Sequence, residues 1–113
     1  MSPLLEQGDV IEVDFDPTKG HEPARRRPAL VVSVGYFNNV LSSLTVVCPI
    51  TTTANKHPLH IEIPPGNPVE GFVCIEQLRS LDISKRNCLK HDGALDKTTM
   101  STILEAIGGI FGI

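Results

Sequence analysis

Short runs of β-branched and aliphatic residues constrain the fold of this chain more than any other feature. Five such runs lie at residues 10–15, 29–34, 44–50, 59–63 and 71–75, and proline- or glycine-containing segments separate most of them. Proline lacks the N–H that a sheet ladder needs and glycine admits a positive φ, so each run reads as one short strand. In 113 residues with only 4% aromatics, Val, Ile and Leu must build the core.

The C-terminal segment has a helical rather than a strand period. Asp96 is a good N-cap, and the apolar residues that follow at helical spacing are Met100, Ile103, Leu104, Ile107 and Phe111. Gly108-Gly109 is expected to weaken the last turn. The chain is therefore predicted to be mainly β with a C-terminal helix, a small SH3-like barrel in one domain over residues 1–113.

Three local features complete this prediction. Residues 16–27 are expected to form a polar loop, and residues 37–39 a turn. Pro49 falls inside the third run, which predicts an edge strand or a bulge there.

Charge and cysteine usage exclude several functional classes. The net charge is -3 and the sequence pI about 5.7, whereas proteins that coat duplex DNA are usually strongly basic. The three cysteines form no CxxC pair, which predicts reduced thiols in a cytoplasmic protein.

No apolar stretch approaches the roughly 18 residues of a membrane helix, and no signal peptide is recognised. His57 and His60 are expected on opposite faces of a strand, which disfavours a shared metal.

A polar cluster precedes the second strand run. His21, Glu22 and the triplet 25–27 bring together an imidazole, a carboxylate and three guanidiniums. Arg27 abuts Pro28 and a buried strand, and a fixed guanidinium fork suits phosphate oxygens. His21 has the side chain type that transfers protons in either direction near neutral pH. The alternative is a solvated loop with local ion pairs.

Two more strand ends carry polar groups. At residues 49–52, the Thr51 hydroxyl and neighbouring N–H groups either bind an oxyanion or simply satisfy a turn. Residues 76–79 offer the acid Glu76, the amide Gln77 and the cation Arg79. The residues alone thus predict a polar, arginine-bearing site at the strand ends, and they do not name a reaction.

At these positions the chain resembles the MazF/PemK/Kid family of toxin ribonucleases from bacterial toxin–antitoxin pairs. The resemblance runs from about residue 8 to residue 95, in blocks at residues 8–22, 27–33, 37–38, 49–51 and 76–82. It implies the PemK-like/CcdB-like plasmid maintenance toxin fold and a homodimer. It also implies a metal-independent mRNA interferase, without cofactor, that cuts single-stranded RNA at a short sequence.

The same resemblance implies a reaction and a partner. The ribose 2′-OH would attack the adjacent phosphorus and leave a 2′,3′-cyclic phosphate and a 5′-OH. This chemistry needs a base, an acid and stabilisation of the phosphorane. The implied partner is a MazE/PemI-like antitoxin whose acidic, partly apolar C-terminal segment lies across the RNA groove.

Branches of the family assign different catalytic residues. The MazF branch uses an Arg and a Thr that match Arg27 and Thr51. The Kid branch uses a His that matches His21, and an Arg-x-Asp pair that falls at Cys74 and Glu76. Because arginine holds its proton too tightly for proton transfer, Arg27 and Thr51 are assigned to phosphorane stabilisation. Proton transfer is assigned to His21, Glu22 or Glu76.

Residues for holding RNA are also predicted. These candidates for RNA binding are Phe15, Thr18, Lys19, Asn38, Lys56, Gln77 and Arg79. Two alternatives remain open. One is a CcdB-type gyrase poison, because the tail Phe111-Gly112-Ile113 resembles the Trp-Gly-Ile ending of that family. The other is a non-catalytic RNA- or peptide-binding barrel, because a fold does not fix a function.

Overall fold

The computed structural model describes residues 3–16, 25–54 and 56–113, without the side chains of Asp16 and Arg25. In chain order, the elements within these ranges are β1 (Asp9–Asp16), β2 (Arg25–Val31), β3 (Thr45–Thr51), β4 (His60–Glu62), β5 (Phe72–Cys74), β6 (Arg79–Leu81), β7 (Leu89–Ala94) and α1 (Lys97–Ile110). Single helical turns at Phe37–Leu41, Ile75–Gln77 and Ile83–Lys85 connect some of them.

All pairings between the described strands are antiparallel. The strand order is β4-β5-β3-β2-β1-β7, and β6 also pairs with β3. One side of β3 pairs with β2, whereas the other side pairs with β6 at its start and with β5 at its end. Pro49 lies between these two segments and belongs to neither register. This gap accommodates a residue without an N–H in a strand that is otherwise central.

Alternating side chains along the strands build a core cluster on each face of the sheet. The first core cluster includes Val10, Leu30 and Cys48, whereas their neighbours Ile11, Val31 and Val47 belong to the second. Helix α1 packs on the first cluster through Met100 and Ile103. Much of the sheet is thus apolar on both faces, which explains why several strand sequences are continuous apolar runs rather than alternating ones.

The C-terminal helix begins as predicted. Asp96 Oδ1 accepts the Thr99 backbone N–H at 2.8 Å, which confirms the N-cap. The helix continues through Gly108-Gly109 to Ile110, so the glycines do not end it. Leu104 and Phe111 are 36% and 64% exposed, so the buried face is narrower than the spacing predicted.

The structure corrects one local expectation, refines a second and adds one strand. The arginine triplet belongs to β2 rather than to a loop, because β2 begins at Arg25 and pairs with β1 there. Residues 37–39 lie in a helical turn that buries Asn38. Strand β6 was not expected, because its three residues pair only with the distant β3.

Candidate active site

Arg27 and Thr51 lie at the ends of two paired strands. The β2–β3 register couples Ala29 with Pro49 and Val31 with Val47. Arg27 and Thr51 each lie two residues beyond the last pair, Ala29 and Pro49, so they fall at the same end of the paired strands. Ala29, Val31 and Val47 face the second core cluster, so alternation directs both polar side chains to that face, beyond its apolar part. Both residues are half-buried. We call this pair the β2–β3 half of the site.

Local hydrogen bonding leaves the Thr51 hydroxyl ready to donate. Its Oγ1 accepts the Thr53 backbone N–H at 3.2 Å, so the hydroxyl hydrogen remains available for an anion. Gly71 lets β5 approach at this point: its φ is +133°, and a Cβ there would lie 2.5 Å from the Thr51 carbonyl oxygen. No L side chain fits this close approach without a shift of the backbone.

A second group of polar residues comes from β4 and β5. His60 and Cys74 are cross-strand partners, and such partners share one face of a sheet. Val73 faces the first core cluster, so alternation turns Cys74 to the face that carries Thr51. Just after β5, Glu76 places its Oε2 2.8 Å from His60 Nε2. We call His60 and Glu76 the β4–β5 half of the site.

Cys74 is close to charged groups of both halves. Burial raises the pKa of its thiol, the Glu76 charge raises it further, and the Arg27 charge opposes these effects. The same thiol thus feels the charge of both Arg27 and Glu76, which indicates that both halves lie close to it. The raised pKa keeps Cys74 neutral near pH 7.

Glu76 is held in its ionised form. Burial raises the pKa of its carboxyl, but hydrogen bonds from His60, its own backbone N–H and Gln77 outweigh burial and leave the pKa below its ordinary value. A carboxylate that is ionised near neutral pH and partly exposed can accept a proton from a bound hydroxyl.

The placement of the two histidines corrects the expectation of opposite faces. β4 begins only at His60, so His57 lies in the preceding turn, where a strand period does not apply. The two rings stack with centroids 4.6 Å apart and planes 20° from parallel. His57 Nδ1 accepts the Leu59 backbone N–H at 3.0 Å.

His57, His60 and Glu76 have the residue types of a metal site, with potential ligand atoms within 4.8 Å of one another. Imidazole lone pairs lie in the ring planes, however, and stacked, nearly parallel planes do not converge on one ion. The bond from Leu59 N–H also places the proton of a neutral His57 on Nε2. The arrangement fits a hydrogen-bonded cluster better than a metal centre, and the absence of a metal remains a prediction.

Two candidate RNA-binding residues have structural roles instead. The Asn38 Nδ2 donates to the carbonyls of Leu5 and Ser33 at 3.0 and 2.9 Å, and its Oδ1 accepts the Ser33 hydroxyl. Its amide therefore has no group left for a base. Phe15 is only 6% exposed and packs in the second core cluster. It is not an open stacking surface.

Three other candidates are exposed. Gln77 follows Glu76 and donates to its Oε2 at a long 3.4 Å. Arg79 lies over the Phe15 ring with its guanidinium carbon 5.6 Å from the centroid, which orients the cation toward solvent. Lys56 is exposed in the segment between β3 and β4.

Four candidates fall outside the described residues. They are Thr18, Lys19, His21 and Glu22.

Sequence reasoning missed one residue that belongs to this site, His60. The available signal was the alternation of residues 59–63 combined with the polar block that begins at Glu76. That signal becomes informative only when β4 is known to pair with β5.

Comparison with known proteins identifies the family. A sequence model of the PemK-like, MazF-like toxin of type II toxin–antitoxin systems matches residues 6–111. The chain belongs to this toxin family. It is 36% identical over 108 residues to the endoribonuclease toxin ChpB of Escherichia coli K12, covering 88% of this chain and 89% of ChpB. It is 35% identical over 85 residues to the endoribonuclease toxin MazF of the same organism, covering 75% of each chain.

Solved structures agree with this family assignment. A MazE–MazF crystal structure from Deinococcus radiodurans superposes with a TM-score of 0.88 and 29% identity, covering 98% of both chains. A mycobacterial endoribonuclease in complex with its cognate antitoxin shares the fold, with a TM-score of 0.76 at 21% identity. The predicted fold class, mainly antiparallel β with a C-terminal helix, is confirmed. Among the described residues, no helix is long and apolar enough to cross a membrane.

Proposed function

We propose that this toxin is a metal-independent, sequence-specific endoribonuclease that cleaves single-stranded RNA by attack of the ribose 2′-OH on the adjacent phosphorus. The O2′–P bond forms and the P–O5′ bond breaks, which leaves a 2′,3′-cyclic phosphate and a 5′-OH. The 2′-OH proton goes to a base, and the departing 5′ oxygen receives a proton from an acid. The endoribonuclease relatives and the family assignment support this proposal.

The observation that carries the proposal is that Arg27 and Thr51 lie at the same end of the paired strands β2 and β3, and that the Cys74 thiol senses the charges of both Arg27 and Glu76. A planar guanidinium donates two parallel hydrogen bonds to the non-bridging oxygens of a phosphorane. The free hydrogen of the Thr51 hydroxyl adds a third donor on the same face. Donors that are already in place stabilise developing negative charge without reorganisation.

The proton-transfer roles follow from charge. Glu76 is the proposed general base, because its carboxyl is ionised near neutral pH and is partly exposed. His21 and Glu22 remain the candidates for the general acid. Lys56, Gln77 and Arg79 are proposed to hold RNA, with Thr18 and Lys19. The Gln77 amide is the candidate for reading a base edge in unpaired RNA.

Partners follow from the family. Two structural relatives were solved as complexes, one with MazE and one with its cognate antitoxin. We infer that this toxin is likewise bound by a MazE/PemI-like antitoxin whose acidic segment competes with RNA for Arg27. A homodimer, one domain over residues 1–113 and a cytoplasmic location are part of the same proposal.

Cleavage in the presence of a chelator tests the proposed function. Purified wild type and Arg27→Ala are incubated with a long single-stranded RNA in excess EDTA, and the 5′ ends are mapped. We expect discrete cuts by the wild type and a severe loss of cutting by Arg27→Ala. Arg26→Ala is the matched control, because it removes the same charge one residue away, from a side chain that binds Asp14 and Asn87 instead.

A gyrase poison is the second candidate function. Phe111 is 64% exposed, so core packing does not account for this aromatic residue near the C-terminus. Inhibition of DNA supercoiling by the folded protein, together with intact RNA in the EDTA assay, would favour gyrase over RNA as the target.

A further inference from the structure

The His60 ring is buried in an unusual environment. Its side chain is only 7% exposed, and its Nδ1 is buried with no hydrogen-bond partner among the residues that the structure describes. The other nitrogen, Nε2, lies 2.8 Å from Glu76 Oε2. Among the described residues, the hydrogen bonding of this ring is therefore directed at one carboxylate, that of Glu76.

These contacts define the protonation state of His60. A charged imidazolium would bury an N–H at Nδ1 with no acceptor, which is unfavourable. The neutral tautomer with its hydrogen on Nε2 avoids this and donates directly to Glu76. The stacked His57 ring covers one face of His60, and the bond from Leu59 N–H to His57 Nδ1 fixes that neighbour. The donor is therefore held rigidly.

Glu76 uses its two carboxylate oxygens differently. Oε2 receives the bond from His60 and a longer one from Gln77. The side chain of Glu76 is 29% exposed, against 7% for His60, so solvent and substrate reach the carboxylate and not the imidazole. His60 therefore acts on substrate only through Glu76.

We propose that His60 is a positioning residue for Glu76: its neutral Nε2–H holds one carboxylate oxygen so that the other accepts the proton of the attacking 2′-OH. This inference rests on the proposed ribonuclease function. The proton moves from the 2′ oxygen to Glu76 as the O2′–P bond forms, and His60 keeps its own proton throughout. His60 lies outside the sequence block that contains Glu76, because it comes from the neighbouring strand β4.

The expected pH dependence follows from the groups that face Glu76. These are His60 from β4, His57 just before β4, Cys74 and Gln77 along its own segment, and Cys48 from β3, whose thiol pKa burial raises to about 12. Both thiols are neutral near pH 7. The bond from His60 lowers the Glu76 pKa and burial raises it. Without His60, the Glu76 pKa should therefore rise, and the base should become protonated at a higher pH.

The test measures single-turnover cleavage from pH 3.5 to 8 in EDTA for wild type, His60→Leu and His60→Gln, so that the range includes the titration of Glu76. The glutamine amide can donate to Glu76 but does not titrate, whereas leucine cannot donate. We expect the rate of His60→Leu relative to wild type to fall as pH falls, by about tenfold for each unit of pKa rise. We expect His60→Gln to follow the wild-type pH profile. Binding of an uncleavable RNA with a 2′-deoxyribose at the cut site should be unchanged in both variants.

Two results would overturn the proposal. A folded His60→Leu protein with a uniform rate loss at every pH would show a merely structural role. Equal changes in the pH profiles of His60→Leu and His60→Gln would mean that the imidazole itself titrates in the reaction.

A spectroscopic measurement keeps the proposal testable if His60→Leu does not fold. In the wild type, ¹⁵N NMR at neutral pH should show a hydrogen on His60 Nε2 and none on Nδ1, and hydrogens on both nitrogens would contradict the proposal. If the wild type cleaves no RNA while the NMR shows this tautomer, then the proposed ribonuclease function is wrong, although the hydrogen bond from His60 to Glu76 is confirmed.

Discussion

The two halves of the candidate site differ in how they carry charge. The β2–β3 half presents the Arg27 guanidinium, which is charged at every working pH, and the Thr51 hydroxyl, which is never ionised. The β4–β5 half presents a carboxylate whose protonation depends on pH and on one hydrogen bond from His60. The comparison indicates a division of labour. We propose that the first half stabilises charge on phosphorus and that the second half moves a proton.

Removing the cation should have the largest effect. Arg27→Ala should lower the single-turnover cleavage rate on the order of 10³-fold, and by the same factor at every pH, because arginine does not titrate. Arg27→Lys should recover only part of this loss, because an ammonium lacks the planar fork. A loss that varies strongly with pH would break the proposed division, since it would place Arg27 in proton transfer.

Removing the base should have a comparable or smaller effect but a different pH profile. Glu76→Gln keeps the shape of the side chain and should slow cleavage roughly 10²-fold at neutral pH. The loss should shrink as pH falls far enough to protonate Glu76 in the wild type. Because the Glu76 pKa lies below its ordinary value, the wild-type rate should not decline on account of Glu76 between pH 7 and 5. Equal rates for Glu76→Gln and wild type at pH 7 would remove Glu76 from the base role.

The hydroxyl of the β2–β3 half offers a finer test. Thr51→Val removes the donor and should slow cleavage by about tenfold or more. Thr51→Ser keeps the hydroxyl and should retain most of the activity. If serine and valine at this position slow cleavage equally, then packing rather than hydrogen bonding explains the role of Thr51.

Asn38 provides a contrast outside the site, because it should affect stability and not chemistry. Asn38→Ala leaves the Ser33 carbonyl without its side-chain donor and leaves the Leu5 carbonyl with Asn39 as its remaining side-chain donor. It should lower the free energy of unfolding by roughly 1–3 kcal/mol, measured by urea denaturation. The cleavage rate per folded molecule should stay at the wild-type value. A specific loss of RNA binding in this variant would restore Asn38 to the RNA interface.

Cys74 should give the smallest effect. Its thiol pKa is raised by burial and by Glu76, so the neutral side chain supplies neither charge nor proton at pH 7. Cys74→Ala should therefore change the cleavage rate by less than about threefold, well below the general acid–base contributions. A large loss in a folded Cys74→Ala protein would show that the thiol itself joins the chemistry between the two halves.

The sequence predicted those features that depend on neighbouring residues. Local periodicity and capping located most strands and the start of α1 at Asp96. The family resemblance located Arg27 and Thr51, and the β2–β3 register accounts for their proximity. Each of these depends on one run of sequence or on two runs that pair directly.

Other features required the three-dimensional fold. The His60–Glu76 contact joins residues 16 apart in the chain, and it exists only because β4 pairs with β5. The opposite-face argument for His57 and His60 was wrong because His57 precedes the strand. Asn38 was expected in an exposed turn, but a polar side chain is buried without penalty when its hydrogen bonds are satisfied. Composition records none of these long-range relations.

The most direct test of the proposed reaction is cleavage of an RNA oligonucleotide that carries a single 2′-deoxyribose at the mapped cut site. In excess EDTA, the all-ribose oligonucleotide should be cut to a 2′,3′-cyclic phosphate and a 5′-OH, identified by mass spectrometry. The deoxy-substituted oligonucleotide should stay intact at that position while still binding the protein. Equal cleavage of both oligonucleotides, or products with a 3′-OH and a 5′-phosphate, would contradict attack by the 2′-OH.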